Sequence, residues 1–203
     1  MRFGTKAIHA GVEPDPTTGA IMTPIYQTST YVQAAPGDHK GYEYSRTHNP
    51  TRTALQNALA ALENGTHGLC FATGMASIDA ICKLFKPGDE IVSTNDLYGG
   101  TYRLFTKIFE GFGLKFRFVD MGDPANVAAA MTPNTKLIWV ETPTNPLLKV
   151  MNLVALLVLP AVFSLADYDA ARALITVGAV VVILGSVLFT KRQGSAMTDE
   201  PAS

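Results

Sequence analysis

The chain has 203 residues with 16 basic and 17 acidic side chains, and its net charge of −1 gives no reason to expect nucleic-acid binding. The mean hydropathy of +0.17 is high for a soluble domain. The two cysteines, Cys70 and Cys82, suit neither a disulfide framework nor a zinc site, which predicts free thiols in a reducing compartment. The first residues do not resemble a secretion signal, so we expect residues 1–149 to be cytoplasmic.

Residues 1–45 contain four prolines and no sustained period of 2 or 3.6, which predicts an extended N-terminal arm. The segment Asn49-Pro50-Thr51 is typical of a helix start, and leucines on one stripe predict a helix over residues 52–63. We expect Asn64-Gly65 to end that helix.

Strand and helix patterns then alternate along the chain. Short apolar runs predict strands at 68–72, 90–93, 115–119 and 135–141, and helical patterns lie at 75–85 and 101–111. Alternation of this kind predicts an α/β fold with a parallel sheet and helices on both faces. Ligands bind beyond the carboxyl ends of such strands, so we expect chemistry in the turns after Ala72, Ser93 and Val140.

The turn Thr73-Gly74-Met75 joins a predicted strand to a predicted helix. Its glycine allows a ligand to approach the backbone, and the free N–H groups of a helix start favour an anion such as phosphate. An ordinary turn without a ligand is the alternative interpretation.

Two later turns add groups suited to a planar cofactor. Tyr98 precedes Gly99-Gly100 and could lie flat on an aromatic ring, and Asn145 lies between two prolines that stiffen its loop. Each of these turns, taken alone, is equally consistent with a plain connection.

These segments, together with Tyr44-Ser45-Arg46 and Asn49-Pro50-Thr51-Arg52, resemble the Cys/Met-metabolism family of pyridoxal-phosphate enzymes over residues 1–150. The family includes cystathionine γ-synthase and the cystathionine β- and γ-lyases, which carry out γ-replacement or β/γ-elimination in trans-sulfuration. The resemblance implies a partial fold-type I domain over residues 46–149 and a sulfur amino acid as substrate.

The same resemblance implies roles for seven residues. Thr73, Gly74 and Met75 would hold the cofactor phosphate, Tyr98 would stack on the pyridine ring, and Asn145 would contact the ring hydroxyl. Tyr44 and Arg46 would reach the phosphate of a neighbouring subunit, since a guanidinium grips phosphate through two hydrogen bonds. We therefore expect a homo-oligomer, a dimer or a tetramer, assembled through the arm.

The resemblance also implies residues that have no counterpart here. The family places its Schiff-base lysine, the aspartate that pairs with the pyridine nitrogen and the substrate-binding arginine beyond the matched part. Lys149, Lys83 and Lys86 are poor substitutes for that lysine. We therefore expect a truncated chain with no catalytic residue, inactive alone.

Residues 150–192 hold two apolar runs of about 17 residues, each near the lower limit for a membrane helix. Lys149 and Lys191-Arg192 flank them, which predicts a transmembrane hairpin in the inner or plasma membrane, followed by a disordered tail at 193–203. Buried elements of a soluble domain are the alternative.

A second, local resemblance covers Asn145 to Leu157, which is similar to the end of proton-pumping membrane pyrophosphatases. It suggests a chimeric chain, formed by fusion or misassembly. The rival functions are a membrane-anchored, noncatalytic protein that binds pyridoxal phosphate or pairs with intact subunits, and a fragment of an ion-pumping pyrophosphatase.

Overall fold

The computed structural model describes residues 2–153, 155 and 156. These residues belong to two compact units, and the first unit ends at Leu69 while the second begins at Cys70. The first unit carries two helices and a small hairpin, and the second carries a parallel sheet with its helices.

The first unit contains more regular structure than an extended arm. Its elements are α1 (Phe3–His9), β1 (Gln33–Ala35), β2 (Asp38–His39) and α2 (Pro50–Leu62), with β1 and β2 antiparallel. The prediction of an extended arm over residues 1–45 was therefore wrong at α1 and at this hairpin. Helix α1 gave no sequence signal because Arg2 offers no capping hydrogen bond and the first turn holds no acidic residue.

Helix α2 begins where the sequence predicts. The Asn49 side chain accepts hydrogen bonds from the backbone N–H groups of Thr51, at 2.9 Å, and Arg52, at 3.4 Å. Pro50 stands at the first helical position, where its missing N–H costs nothing. The chain leaves the helix through Asn64, whose φ of 55° lies in the left-handed region.

The second unit is built on a three-stranded parallel sheet, as the alternating pattern predicts. Its strands, in the spatial order β4-β3-β5, are β3 (Glu90–Thr94), β4 (Lys115–Val119) and β5 (Thr135–Trp139). Its helices are α3 (Gly74–Cys82), α4 (Gly99–Leu104), which continues into a π-helical turn (Phe105–Phe109), and α5 (Pro124–Ala130).

Helices cover both faces of this sheet. On one face, the Phe105 ring stacks on Phe116 with ring centroids 4.4 Å apart and meets Trp139 edge-on at 5.5 Å. On the other face, Val127 of α5 is fully buried in a cluster with Val92 of β3. Because successive side chains of a strand alternate between faces, this packing holds the central strand between two apolar layers.

Two elements of the second half differ from the prediction. Residues 68–72, predicted as a strand, are not part of the sheet among the described residues. Helix α5 was not predicted, although Asp123-Pro124 is a recognisable start, and the Asp123 carboxylate caps the N–H of Ala125 at 2.9 Å.

The predicted hairpin of residues 150–192 falls almost wholly outside the described residues, and so does the predicted tail at 193–203. Of the part that is described, Met151 and Leu156 are buried in the same cluster as Val92. No helix in the described ranges is both long enough and apolar enough to cross a membrane.

Candidate functional site

The carboxyl ends of β3 and β5 lead into loops that hold two of the seven predicted site residues. Tyr98 lies four residues after the end of β3, and Asn145 lies six residues after the end of β5. Since the two strands are parallel neighbours, both loops leave the same edge of the sheet. This edge is where the sequence pattern predicts a ligand.

The start of α3 presents free backbone donors. The Thr73 hydroxyl accepts the N–H of Ala76 at 3.0 Å, and the Thr73 carbonyl accepts the N–H of Ser77 at 3.3 Å. Gly74 and Met75 precede the first N–H that the helix itself can satisfy, so their N–H groups project from its positive end. The N–H groups of Gly74 and Met75 therefore have no acceptor within the helix itself.

Gly100 brings that helix start close to the Tyr98 ring. A Cβ atom added to Gly100 would lie 2.9 Å from Met75 Sδ and would collide with the Tyr98 ring. Only a residue without a side chain fits between these two groups. The structure thus places Met75 and Tyr98 next to the same glycine, and Tyr98 is 48% exposed.

Glu141 ties the start of α4 to the loop after β5. Its Oε2 atom accepts the backbone N–H of Tyr98 at 2.8 Å. Its Oε1 atom accepts the Thr101 hydroxyl at 2.9 Å and the Trp139 indole N–H at 3.3 Å. Sequence analysis missed the role of Glu141, because its partners Thr101 and Tyr98 are 40 and 43 residues away and no local pattern indicates them.

Asp96 makes a second link between the same two loops. It is 8% exposed, and its Oδ2 atom accepts the Thr144 hydroxyl and, at 3.1 Å, the backbone N–H of Leu147. Asn145 lies between these two donors in sequence and is half-buried. The link thus fixes the backbone on both sides of Asn145, and sequence analysis missed it for the same reason.

Two of the three lysines considered as substitutes for the Schiff-base lysine form ion pairs. Lys149 pairs with Asp120 at 3.6 Å. The pKa of Asp120 lies below its ordinary value, first because the Gly122 N–H donates to its carboxylate and second because of the Lys149 charge. Lys83 pairs with Asp79 at the C-terminal end of α3, opposite the Thr73 turn.

Tyr44 and Arg46 belong to the first unit and are both exposed. The Arg46 guanidinium carbon lies 4.9 Å from the centre of the Tyr44 ring, a cation–π distance. Arg52 donates to the backbone carbonyls of Ser45 and Arg46 at 3.3 and 3.4 Å, which holds this turn in place. The pair is therefore a surface feature with an ordered backbone.

Comparison with known proteins identifies the family. Residues 4–160 match the family of Cys/Met metabolism PLP-dependent enzymes. The chain is 56% identical over 154 residues to a probable cystathionine gamma-synthase of Herpetosiphon aurantiacus, and 53% identical over 150 residues to a cystathionine beta-lyase of Coxiella burnetii. These alignments cover 76% and 73% of this chain.

Comparison with a solved structure supports the same family. The crystal structure of metB from Corynebacterium glutamicum has a TM-score of 0.78 and 45% identity over 87% of this chain. The chain spans less than half of each of these proteins, namely 48%, 39% and 44% of their lengths. By sequence and by fold, the chain belongs to the Cys/Met metabolism family of PLP-dependent enzymes.

Proposed function

We propose that this chain binds pyridoxal phosphate at the carboxyl end of its parallel sheet and supplies that site to a trans-sulfuration enzyme of the cystathionine γ-synthase or lyase type. The observation that carries the proposal is the meeting of the α3 start and the exposed Tyr98 ring at Gly100. The names of the relatives support a sulfur amino acid as the substrate class.

The chemistry of the donor groups fits a phosphorylated planar ring. Free N–H groups at Gly74 and Met75 suit a phosphate, which the positive end of α3 also attracts. The Tyr98 ring suits a flat pyridine, since aromatic rings stack with an offset at short distance. Asn145 supplies an amide that can donate to the hydroxyl of that ring.

When bound, pyridoxal phosphate supplies an electron sink for carbanions of the amino-acid substrate. In our proposal, Gly74 and Met75 hold the phosphate, Tyr98 excludes water from one ring face, and Asn145 orients the ring. The resemblance places the Schiff-base lysine of the family beyond the matched residues. We therefore propose that a polypeptide of these 203 residues holds the cofactor by noncovalent contacts and does not turn over cystathionine.

The arm completes the site from a second copy of the chain in this proposal. Tyr44 and Arg46 present a phenol and a guanidinium together, and Arg46 is exposed enough to leave the Tyr44 ring for a phosphate. A homo-oligomer would then carry sites that are each built from two subunits.

Equilibrium dialysis of pyridoxal phosphate against the full chain tests the proposal, with Tyr98→Leu as the variant. Tyr102→Leu is the matched control, because Tyr98 and Tyr102 are 48% and 49% exposed and belong to one turn of chain. Loss of stacking at Tyr98 should weaken binding about tenfold, while the control should stay within about twofold.

Two outcomes would contradict the proposal. One is the absence of saturable binding by the unaltered chain, and the other is an equal loss in both tyrosine variants. Borohydride reduction followed by intact-mass measurement tests the noncovalent mode, since a stoichiometric cofactor adduct on one lysine would refute it.

A further inference from the structure

We infer that Glu141 and Asp96 are positioning residues that hold the loops of Tyr98 and Asn145 in the geometry that receives the cofactor. This inference rests on the proposed function. Neither carboxylate need touch the ligand, because each acts through the loop it fixes. We call the two residues together the carboxylate clasp.

Glu141 uses both of its oxygens. Oε2 holds the Tyr98 N–H, and Oε1 holds the Thr101 hydroxyl and the Trp139 indole. A glutamine has one acceptor oxygen and one donor NH₂ group, so in either orientation it faces at least one N–H with another N–H. A Glu141→Gln change therefore breaks one side of the clasp while preserving the shape of the side chain.

Asp96 behaves differently because both hydrogen bonds converge on Oδ2. An asparagine whose amide oxygen takes the place of Oδ2 can accept from Thr144 and Leu147 and loses only the added strength of the charge. Asp96→Asn should therefore preserve this link, and Asp96→Ala should remove it. Glu141→Gln and Asp96→Asn each remove one negative charge, so a general effect of charge would weaken binding equally in both. The clasp predicts weaker binding in Glu141→Gln only.

The clasp acts on the site through preorganisation. The Tyr98 ring is half-exposed, so the position of its backbone largely determines where the ring lies. Glu141 holds that backbone through the hydrogen bond to the Tyr98 N–H. Without that bond the turn must be ordered when the ligand binds, at an entropic cost that weakens affinity. The helix start at Thr73 receives no bond from either carboxylate, so the phosphate donors should be unaffected.

The test uses the full chain and equilibrium dialysis, which avoids tryptophan emission because Glu141 touches the single tryptophan, Trp139. Glu141→Gln and Asp96→Ala should each weaken pyridoxal phosphate binding about tenfold, the equivalent of one charge-assisted hydrogen bond. Asp96→Asn should stay within about threefold. Inorganic phosphate, used as a separate probe, should bind all variants within about twofold.

Glu90→Gln is the matched control, since Glu90 is a buried glutamate at the opposite end of β3. It should leave the affinity for pyridoxal phosphate within about twofold even if it lowers stability. Equal weakening by Glu90→Gln and Glu141→Gln would overturn the inference, and so would unchanged affinity in Glu141→Gln and Asp96→Ala.

Amide hydrogen exchange separates this inference from the proposed function. In Glu141→Gln the Tyr98 amide should exchange at least about tenfold faster, and in Asp96→Ala the Leu147 amide should do so, while amides of β3 keep their protection. If the unaltered chain does not bind pyridoxal phosphate, the proposed function fails and the role of the clasp toward a cofactor fails with it. If it binds and the variants bind equally well, only the clasp is refuted.

Discussion

The carboxylates at the two ends of the parallel sheet have different kinds of hydrogen-bond partner. At the amino end, Glu90 accepts the Thr132 hydroxyl at 2.8 Å and the Arg117 guanidinium at 3.0 Å, so a cation meets the buried charge. At the carboxyl end, the hydrogen bonds to Asp96 and Glu141 come from hydroxyl, amide and indole groups of the loops.

In the proposed function, this difference separates an end that serves packing from an end that presents groups to a ligand. The ion pair at Glu90 joins the first residue of β3 to the middle of the neighbouring strand β4. The clasp instead orders two loops whose side chains at Tyr98 and Asn145 remain open to a partner. Removing Glu90 should therefore affect stability, and removing the clasp should affect binding.

The largest effect on stability is expected in the central strand, between the two ends of the sheet. Ile91 of β3 is fully buried, so Ile91→Ala should lower the free energy of unfolding by about 2–5 kcal/mol through lost contacts and a cavity. Urea denaturation measures this change. Val32→Ala, at a residue that is 91% exposed, should change it by less than about 0.5 kcal/mol, and similar losses in both variants would refute the assigned core.

A smaller effect on stability is expected from Glu90, at the amino end of the sheet and away from the proposed site. The pKa of Glu90 lies below its ordinary value of 4.5 because the Thr132 hydroxyl and then Arg117 favour the ionised carboxylate. A lowered folded pKa stabilises the protein above pH 4.5, and this contribution disappears as the pH falls through the folded pKa. We therefore expect Glu90→Gln to cost about 1 kcal/mol near neutral pH, measured by urea denaturation.

The pH dependence provides the control for Glu90→Gln. The difference in unfolding free energy between the unaltered chain and the variant should shrink as the pH is lowered below 4.5, since Asp15 and Asp120 contribute equally to both proteins. If the difference instead stays constant from neutral pH down to about pH 3, the charge of Glu90 is not involved.

Thr73→Ala should affect both stability and binding at the carboxyl end. Loss of the cap on the Ala76 N–H should lower the free energy of unfolding by about 1 kcal/mol. Inorganic phosphate should also bind less tightly, because the first turn of α3 frays. Calorimetric unfolding and phosphate titration measure the two effects, and Thr106→Ala, which removes a hydroxyl bonded to the Tyr102 carbonyl away from that turn, should spare phosphate binding.

The smallest expected effect is a gain. Thr94 ends the central strand with a buried hydroxyl that has no hydrogen-bond partner among the described residues. Thr94→Val removes this unsatisfied group at nearly constant shape, so it should raise the free energy of unfolding by up to about 1 kcal/mol. Ser93→Ala removes a hydroxyl that donates to the Thr94 carbonyl and should not stabilise. A loss of stability in Thr94→Val would contradict this account.

The sheet could be predicted because its signals are local. Strand β4 has the predicted bounds, β3 and β5 lie within two residues of theirs, and the cap of α2 at Asn49 is a short-range motif. The residues proposed to hold the cofactor also lie in short local motifs. These are the Thr73 turn, Tyr98 before two glycines, and Asn145 between prolines. The resemblance to a known family supplied the predicted role of each motif.

The parts that were missed depend on distant contacts or weak starts. Glu141 and Asp96 form hydrogen bonds with residues 40 or more positions away, and a single sequence does not reveal such pairs. Helix α1 has no side-chain cap, and the π-helical turn at Phe105–Phe109 contains no glycine or proline that would indicate it in the sequence, although Phe105 packs on Phe116. Tertiary packing therefore decides these elements.

Hydrogen–deuterium exchange of the full chain with and without pyridoxal phosphate tests the central claim most directly, because it surveys both ends of the sheet in one experiment. Added cofactor should protect the segments around 73–76, 96–101 and 141–148 and leave 89–90, 115–117 and 132–135 unchanged. Protection centred on the Glu90 end, or no protection at the carboxyl end under saturating cofactor, would contradict the account.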